Sequence, residues 1–209
     1  MVMSRKIVPL LTGEIYHVFN RGVDKREVFA SKRDYLRFYQ SLDLFNSIEP
    51  VINFDFALAH KKIFTNAERL VNIKAYSLLP NHIHLILKQN IDGGISEFMK
   101  RVSGGYTSYY NLDNDRSGAL FQGTFKRVHV NSDEQYYYLL AYVNENHFVH
   151  NIKMEREICH SSSLHYQNIS RSKLLYSVEQ VDYSFKDAVF LANDIYLRRL
   201  KSKSSDTLE

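Results

Sequence analysis

Residues 71–88 read VNIKAYSLLPNHIHLILK, two β-rich runs separated by Pro80-Asn81. Proline presets a turn backbone and asparagine tolerates one, so the pair predicts a tight connection between two adjacent strands, 71–79 and 82–88. Upstream, GEIYHVFNRGV alternates through Ile15, His17 and Phe19 and then meets Gly22, the pattern of a strand closing in a turn. Between them, residues 31–45 place Tyr35, Phe38, Tyr39, Leu42 and Phe45 at helical spacing, with Ser31 as N-cap and Asp34 in the capping-box position. Residues 51–60 are expected as a further strand, with Lys61 and Lys62 opening a loop. Downstream, Gly93-Gly94 breaks the chain, and 95–112 carries a helical pattern with a soft middle at Gly104-Gly105. Residues 119–130 read as a strand and 133–149 as a tyrosine-dense helix. Polar, serine-rich text over 153–171 suggests irregular structure, while 184–200 has helical spacing and runs into the basic RRLKSK. The order βα(β)ββαβα makes the fold class α+β, a mostly antiparallel central sheet covered by helices.

Composition narrows the function classes. The chain has 209 residues, 44% hydrophobic and 24% charged, enough for one globular core and a tail. A net charge of +4 permits a nucleic-acid partner without requiring one. The single cysteine, Cys159, excludes an internal disulfide framework and a cysteine zinc cluster and suits a reducing compartment. No apolar run approaches the ~18 residues of a membrane span, and the N-terminal run is too short for a secretory signal, so no membrane association and a cytoplasmic location are expected. Tyr 15 and Phe 13 against Trp 0 is unusual, and tyrosine serves packing, base stacking and phenol chemistry alike.

The sharpest chemical feature is His82-Ile83-His84. Alternate residues of a strand project to one face, so two imidazoles can meet one metal ion there. Two histidines are an incomplete site, and an isolated pair of this kind is as readily a hydrogen-bonded structural feature. The tyrosine helix offers a third group, because Tyr142 and Asn146 are four apart and share a helical face, although spacing alone also fits Tyr138 and Tyr142 as packing residues.

With these residues in view, LLPNHIHLIL resembles the Pro-Asn-His-hydrophobic-His block of the single-tyrosine HUH transposases, and AYVNENHFVHN resembles their Tyr-x-x-x-Asn helix. YHVFNRGVDKREVF and RSGALFQGTFKRVHV resemble the same family in the same order, so the likeness covers residues 14–165. The REP-associated tyrosine transposases and small insertion-sequence relatives are the most similar subgroup. The chain departs from them at His147, where proline is common, and at Leu79, where methionine is. The resemblance implies a ferredoxin-like or RRM-like core, a transposase domain over residues 1–165 and a C-terminal extension over 166–209, helical with a basic, frayed end.

It further implies a metal-dependent DNA strand transferase. Tyr142 is the nucleophile, and His82, His84 and Asn146 are ligands of Mg²⁺ or Mn²⁺. The expected partner is single-stranded or hairpin DNA, because a tyrosine cannot get behind a phosphate buried in a regular duplex. Asn20, Arg21, Lys25, Arg26, Arg101, Lys126 and Arg127 are candidate DNA contacts, against the general tendency of such charges to be solvated surface. Tyr106, Tyr109 and Tyr110 suit stacking or core packing equally, and His17, as a lone strand histidine, reads as structural. Monomer and homodimer both remain open. The alternatives are a domesticated hairpin-binding protein that no longer cleaves and an unrelated metal hydrolase using the same histidine pair.

Overall fold

The computed structural model describes residues 9–49, 51–61, 67–150, 152, 161–169, 172–175, 187–191 and 194. Cys159, most of the expected helix over 184–200 and its basic end lie outside the described residues. Strands β1 (Ile15–Arg21), β2 (Val71–Leu79), β3 (His82–Gln89) and β4 (Lys126–Val130) form one sheet in the order β2-β3-β1-β4, with every neighbouring pair antiparallel. The helices are α1 (Lys32–Leu44), α2 (Phe54–Ala59), α3 (Gly94–Asp113), α4 (Asp133–Asn144), α5 (Asn146–Val149) and α6 (Ser163–Tyr166). In this arrangement β3 inserts between β1 and β2, and β1 between β3 and β4, which is the split βαβ weave of a ferredoxin-like core. The central strands are therefore β3, which carries His82 and His84, and β1, which carries His17.

Each face of the sheet has its own helix layer. Tyr16, Val18, Tyr76, Leu85 and Leu87 point to the face covered by α1 and α3, where Phe38 and Tyr106 are fully buried and cross edge-on at 5.1 Å. Burying a side chain of that size stabilises the fold by about 1.5–3 kcal/mol. His17, Phe19, His82 and His84 point to the opposite face, over which α4 packs on β2 and β3.

The expected capping box is present in full. Ser31 Oγ accepts from the Asp34 amide, and Asp34 Oδ2 accepts from the Ser31 amide at 2.9 Å. The hairpin at Pro80-Asn81 does more than reverse the chain: the Pro80 carbonyl accepts from the amides of Val28 and Phe29, and the Asn81 carbonyl from Gly22. Gly22 has an ordinary extended backbone, and a Cβ there would collide with the Arg26 carbonyl and the Val28 side chain. Close approach is what requires glycine.

Three expectations are corrected and one helix is found as expected. Residues 51–60 contain the short helix α2: Asn53 Oδ1 accepts from the Phe56 amide at 2.8 Å, and the buried Phe54 and Ala57 lie three apart, a helical spacing. The strand expected over 119–130 is confined to Lys126–Val130, preceded by a loop that buries Leu120 and Phe121 and turns through Gly118 and Gly123 at positive φ. The helix expected over 95–112 is present as α3 and continues through Gly104-Gly105, where Gly105 lets the Phe45 ring lie against the backbone. The tyrosine helix is two pieces, because Glu145 adopts φ −104° and ψ 22° between α4 and α5.

Candidate active site

The site is assembled on the central strands, where register sets its geometry. Phe19 lies opposite His84 and Arg21 opposite His82, and all four share the face under α4. The His82 and His84 rings are 5.1 Å apart and nearly perpendicular, at 83°. From α4, Tyr142 meets His84 edge-on at 5.5 Å and His17 at 6.1 Å. Tyr142 is only 8% exposed although Tyr137 and Tyr138 on the same helix are solvated, so it is the tyrosine turned onto the histidines.

Hydrogen bonds orient the two imidazoles. His82 Nδ1 lies 2.6 Å from Asn81 Oδ1, which can only accept, so the Nδ1 proton is donated and Nε2 carries the lone pair. His84 Nδ1 lies 2.9 Å from His17 Nε2. Burial lowers the His17 pKa to about 4, so His17 is neutral at neutral pH; in the tautomer in which it accepts from His84 Nδ1, His84 Nε2 carries the lone pair. Partners of this kind on the second nitrogen are how proteins set metal-ligating histidines. Asn146 is fully buried, and neither its Oδ1 nor its Nδ2 has a hydrogen-bond partner among the described residues. A buried amide in that condition has an oxygen free to take a ligand, and two imidazoles with one amide oxygen are a donor set whose chemistry suits a divalent ion. Among the described residues no group of three His, Cys, Asp or Glu side chains is placed to hold a metal ion.

A solved structure shares this fold. It is described as a REP-associated tyrosine transposase bound to a REP hairpin, and it superposes with a TM-score of 0.56 over 87% of this chain and 96% of its own, at 16% identity. At that identity the likeness establishes architecture alone. No protein-family model matches the sequence, and no curated protein matches it.

The candidate DNA contacts are dispersed. Lys126 is exposed on the histidine face, opposite Phe19, and Arg21 is half-buried on that face opposite His82. Lys25 and Arg26 are exposed in the turn after β1, with Arg26 near Asp24 and donating to the Val23 carbonyl. Arg127 is half-buried on β4, opposite Val18. Asn20 is buried on the other face, where it donates to the Gly123 carbonyl and accepts from the Arg21 amide. Arg101 sits in the α1/α3 layer, bonded to Glu97 and to the carbonyls of Ser47 and Glu49. The three α3 tyrosines are structural: Tyr106 donates to the Val28 carbonyl, Tyr109 to Asp34 and Tyr110 to the Glu27 carbonyl.

Sequence reasoning passed over Phe19 and His150, and it read His17 as structural. His17 bonds to His84. Phe19, half-buried, stacks on His84 at 5.7 Å and on His17 at 5.1 Å. His150, just past α5, packs edge-on to His82 at 4.6 Å. Alternation along β1 already put His17 and Phe19 on one face; the signal lacking was that this is the face of His84.

Proposed function

We propose that the chain is a metal-dependent DNA strand transferase that cuts and rejoins single-stranded or hairpin DNA through Tyr142. The observation that carries this reading is the buried Tyr142 ring set edge-on against His84, on the face where His82 presents its own lone-pair nitrogen. When bound, Mg²⁺ or Mn²⁺ at His82, His84 and Asn146 would polarise a nonbridging phosphate oxygen. Tyr142 Oη gives up its proton to solvent as it attacks the phosphorus, the bond to the 3′ oxygen breaks, and that oxygen leaves as a hydroxyl with a proton taken from solvent. The 5′ phosphate stays on tyrosine, and a second 3′-hydroxyl reverses the step without ATP, because the phosphodiester energy is kept. His17 holds His84 in its ligating tautomer. Phe19 and Lys126, beside the histidines, offer a stacking surface and a phosphate contact to an unpaired strand.

The likeness to a hairpin-bound transposase supports hairpin DNA as the partner. The test is incubation with labelled single-stranded oligonucleotides from the DNA flanking the coding region, with Mg²⁺ or Mn²⁺, resolved on a denaturing protein gel. A retarded labelled band that vanishes in Tyr142→Phe is expected. Tight hairpin binding without any band would identify a non-cleaving hairpin binder, and release of both DNA ends without a covalent link would identify a hydrolase.

A further inference from the structure

The link between Tyr142 and Asn146 is not held by helical continuity. The helix α4 ends at Asn144, Glu145 leaves the helical backbone, and α5 starts at Asn146. Asn144 and Glu145 are fully buried, and a buried amide or carboxylate is costly unless it is hydrogen-bonded. Both bonds come from a serine triplet far along the chain: Ser162 Oγ donates to Asn144 Oδ1, and Ser163 Oγ to Glu145 Oε1, each at 2.5 Å.

The triplet is itself fastened to the sheet. Ser161 bridges Ser77, the β2 residue opposite His84. The Ser162 amide donates to the Tyr76 carbonyl at 2.9 Å, and the Tyr76 amide donates to Ser162 Oγ at 3.0 Å. Tyr166 Oη donates to the Lys74 carbonyl, and Gln167 Nε2 to Ser163 Oγ. One chain of bonds thus runs from the strand beside the histidines, through the serines, to the two residues between Tyr142 and Asn146.

We propose that Ser162 and Ser163 are positioning residues that fix Tyr142 and Asn146 relative to the histidine pair; this rests on the strand-transfer reading above. In-line attack is demanding, and a misplacement of about 1 Å can cost on the order of a hundredfold in rate. Removing either hydroxyl leaves Asn144 or Glu145 with one buried bond fewer at the junction between α4 and α5. The broken helix is then a constructed feature of the site, set by the sheet through residues about twenty positions later.

The experiment combines two readouts on Ser162→Ala and Ser163→Ala. The first is the single-turnover rate of covalent adduct formation at saturating hairpin, beside the hairpin Kd. The second is the ¹⁹F spectrum of protein carrying fluorotyrosine, with the Tyr142 signal identified by its loss in Tyr142→Phe. The control is Ser41→Ala, which deletes another buried serine bond, to the Arg37 carbonyl on α1. Positioning requires that the serine variants lose about a hundredfold in adduct rate with Kd unchanged, and that the Tyr142 signal shifts or broadens in them and not in Ser41→Ala. An unmoved Tyr142 signal, or an equal change in Ser41→Ala, overturns the proposal. If wild-type protein forms no adduct, strand transfer fails while the ¹⁹F comparison still decides the positioning role. Should an alanine variant not fold, Ser162→Cys and Ser163→Cys, similar in size but weaker donors, give the same readouts.

Discussion

His17 shows how one side chain can carry a site without touching what the site acts on. Its imidazole is neutral and buried, with Nε2 on His84 Nδ1 and its ring in contact with Phe19 and Tyr142. His17→Phe keeps a ring in that space and removes the acceptor. We expect Mn²⁺ affinity, measured by calorimetry in the presence of hairpin DNA, to fall about 10–100-fold, as for other outer-shell partners of ligating histidines. Unchanged affinity would return His17 to simple packing. A second residue-scale expectation concerns Tyr109, whose phenol is pushed up to about 12, first by burial and then by donating to Asp34. The sign is that of a group favoured in its neutral form when folded. Its contribution is complete below the ordinary phenol value of about 10 and is lost as pH rises from there through 12. Denaturant midpoints for wild type and Tyr109→Phe should therefore converge over that range, and a constant gap would mean that the Asp34 bond does not survive in solution.

Among the elements, the most local rules were the most legible. Ser31 and Asp34 close a capping box that four residues of sequence announce. Ser31→Ala should cost about 1 kcal/mol, a fall in Tm of roughly 2–4 °C for a chain of this size by calorimetry. The hairpin at Pro80-Asn81 was equally plain, because its two strands are long, apolar and separated by turn residues. The α2 segment was misread because Val51, Ile52, Phe54 and Phe56 look like a strand, and only the Asn53 side chain, bonding three residues on, tips them into helix. The break at Glu145 was illegible for a different reason. Nothing within 133–149 interrupts a helical pattern, and the bonds accompanying the break come from Ser162 and Ser163. Likewise the histidine pair was visible in sequence, but the bond from His17 was not, because the strand order that makes β1 the neighbour of β3 is a long-range fact.

Across the whole molecule, the proposed function turns on which face would meet DNA, and the net charge of +4 is too small to decide that by itself. The arrangement of partners answers it better. Arg101 is anchored in the layer opposite the histidines by Glu97 and two carbonyls, and that same bond holds the Glu97 carboxyl below the usual carboxylate range. Lys126 stands exposed on the histidine face across from Phe19. Each cation that neutralises a phosphate releases counterions, so deleting it should lower the slope of log affinity against log salt by roughly 0.7–0.9. Lys126→Ala is expected to show that loss in hairpin titrations between low and physiological salt. Arg101→Ala should leave the slope unchanged while lowering thermal stability, because its guanidinium is committed to the fold. A reversed pattern, with Arg101 controlling the slope and Lys126 silent, would move the DNA to the α1/α3 layer and separate binding from the histidine and tyrosine cluster. That outcome would remove the spatial basis for strand transfer, since a phosphate held across the sheet from Tyr142 cannot be attacked by it.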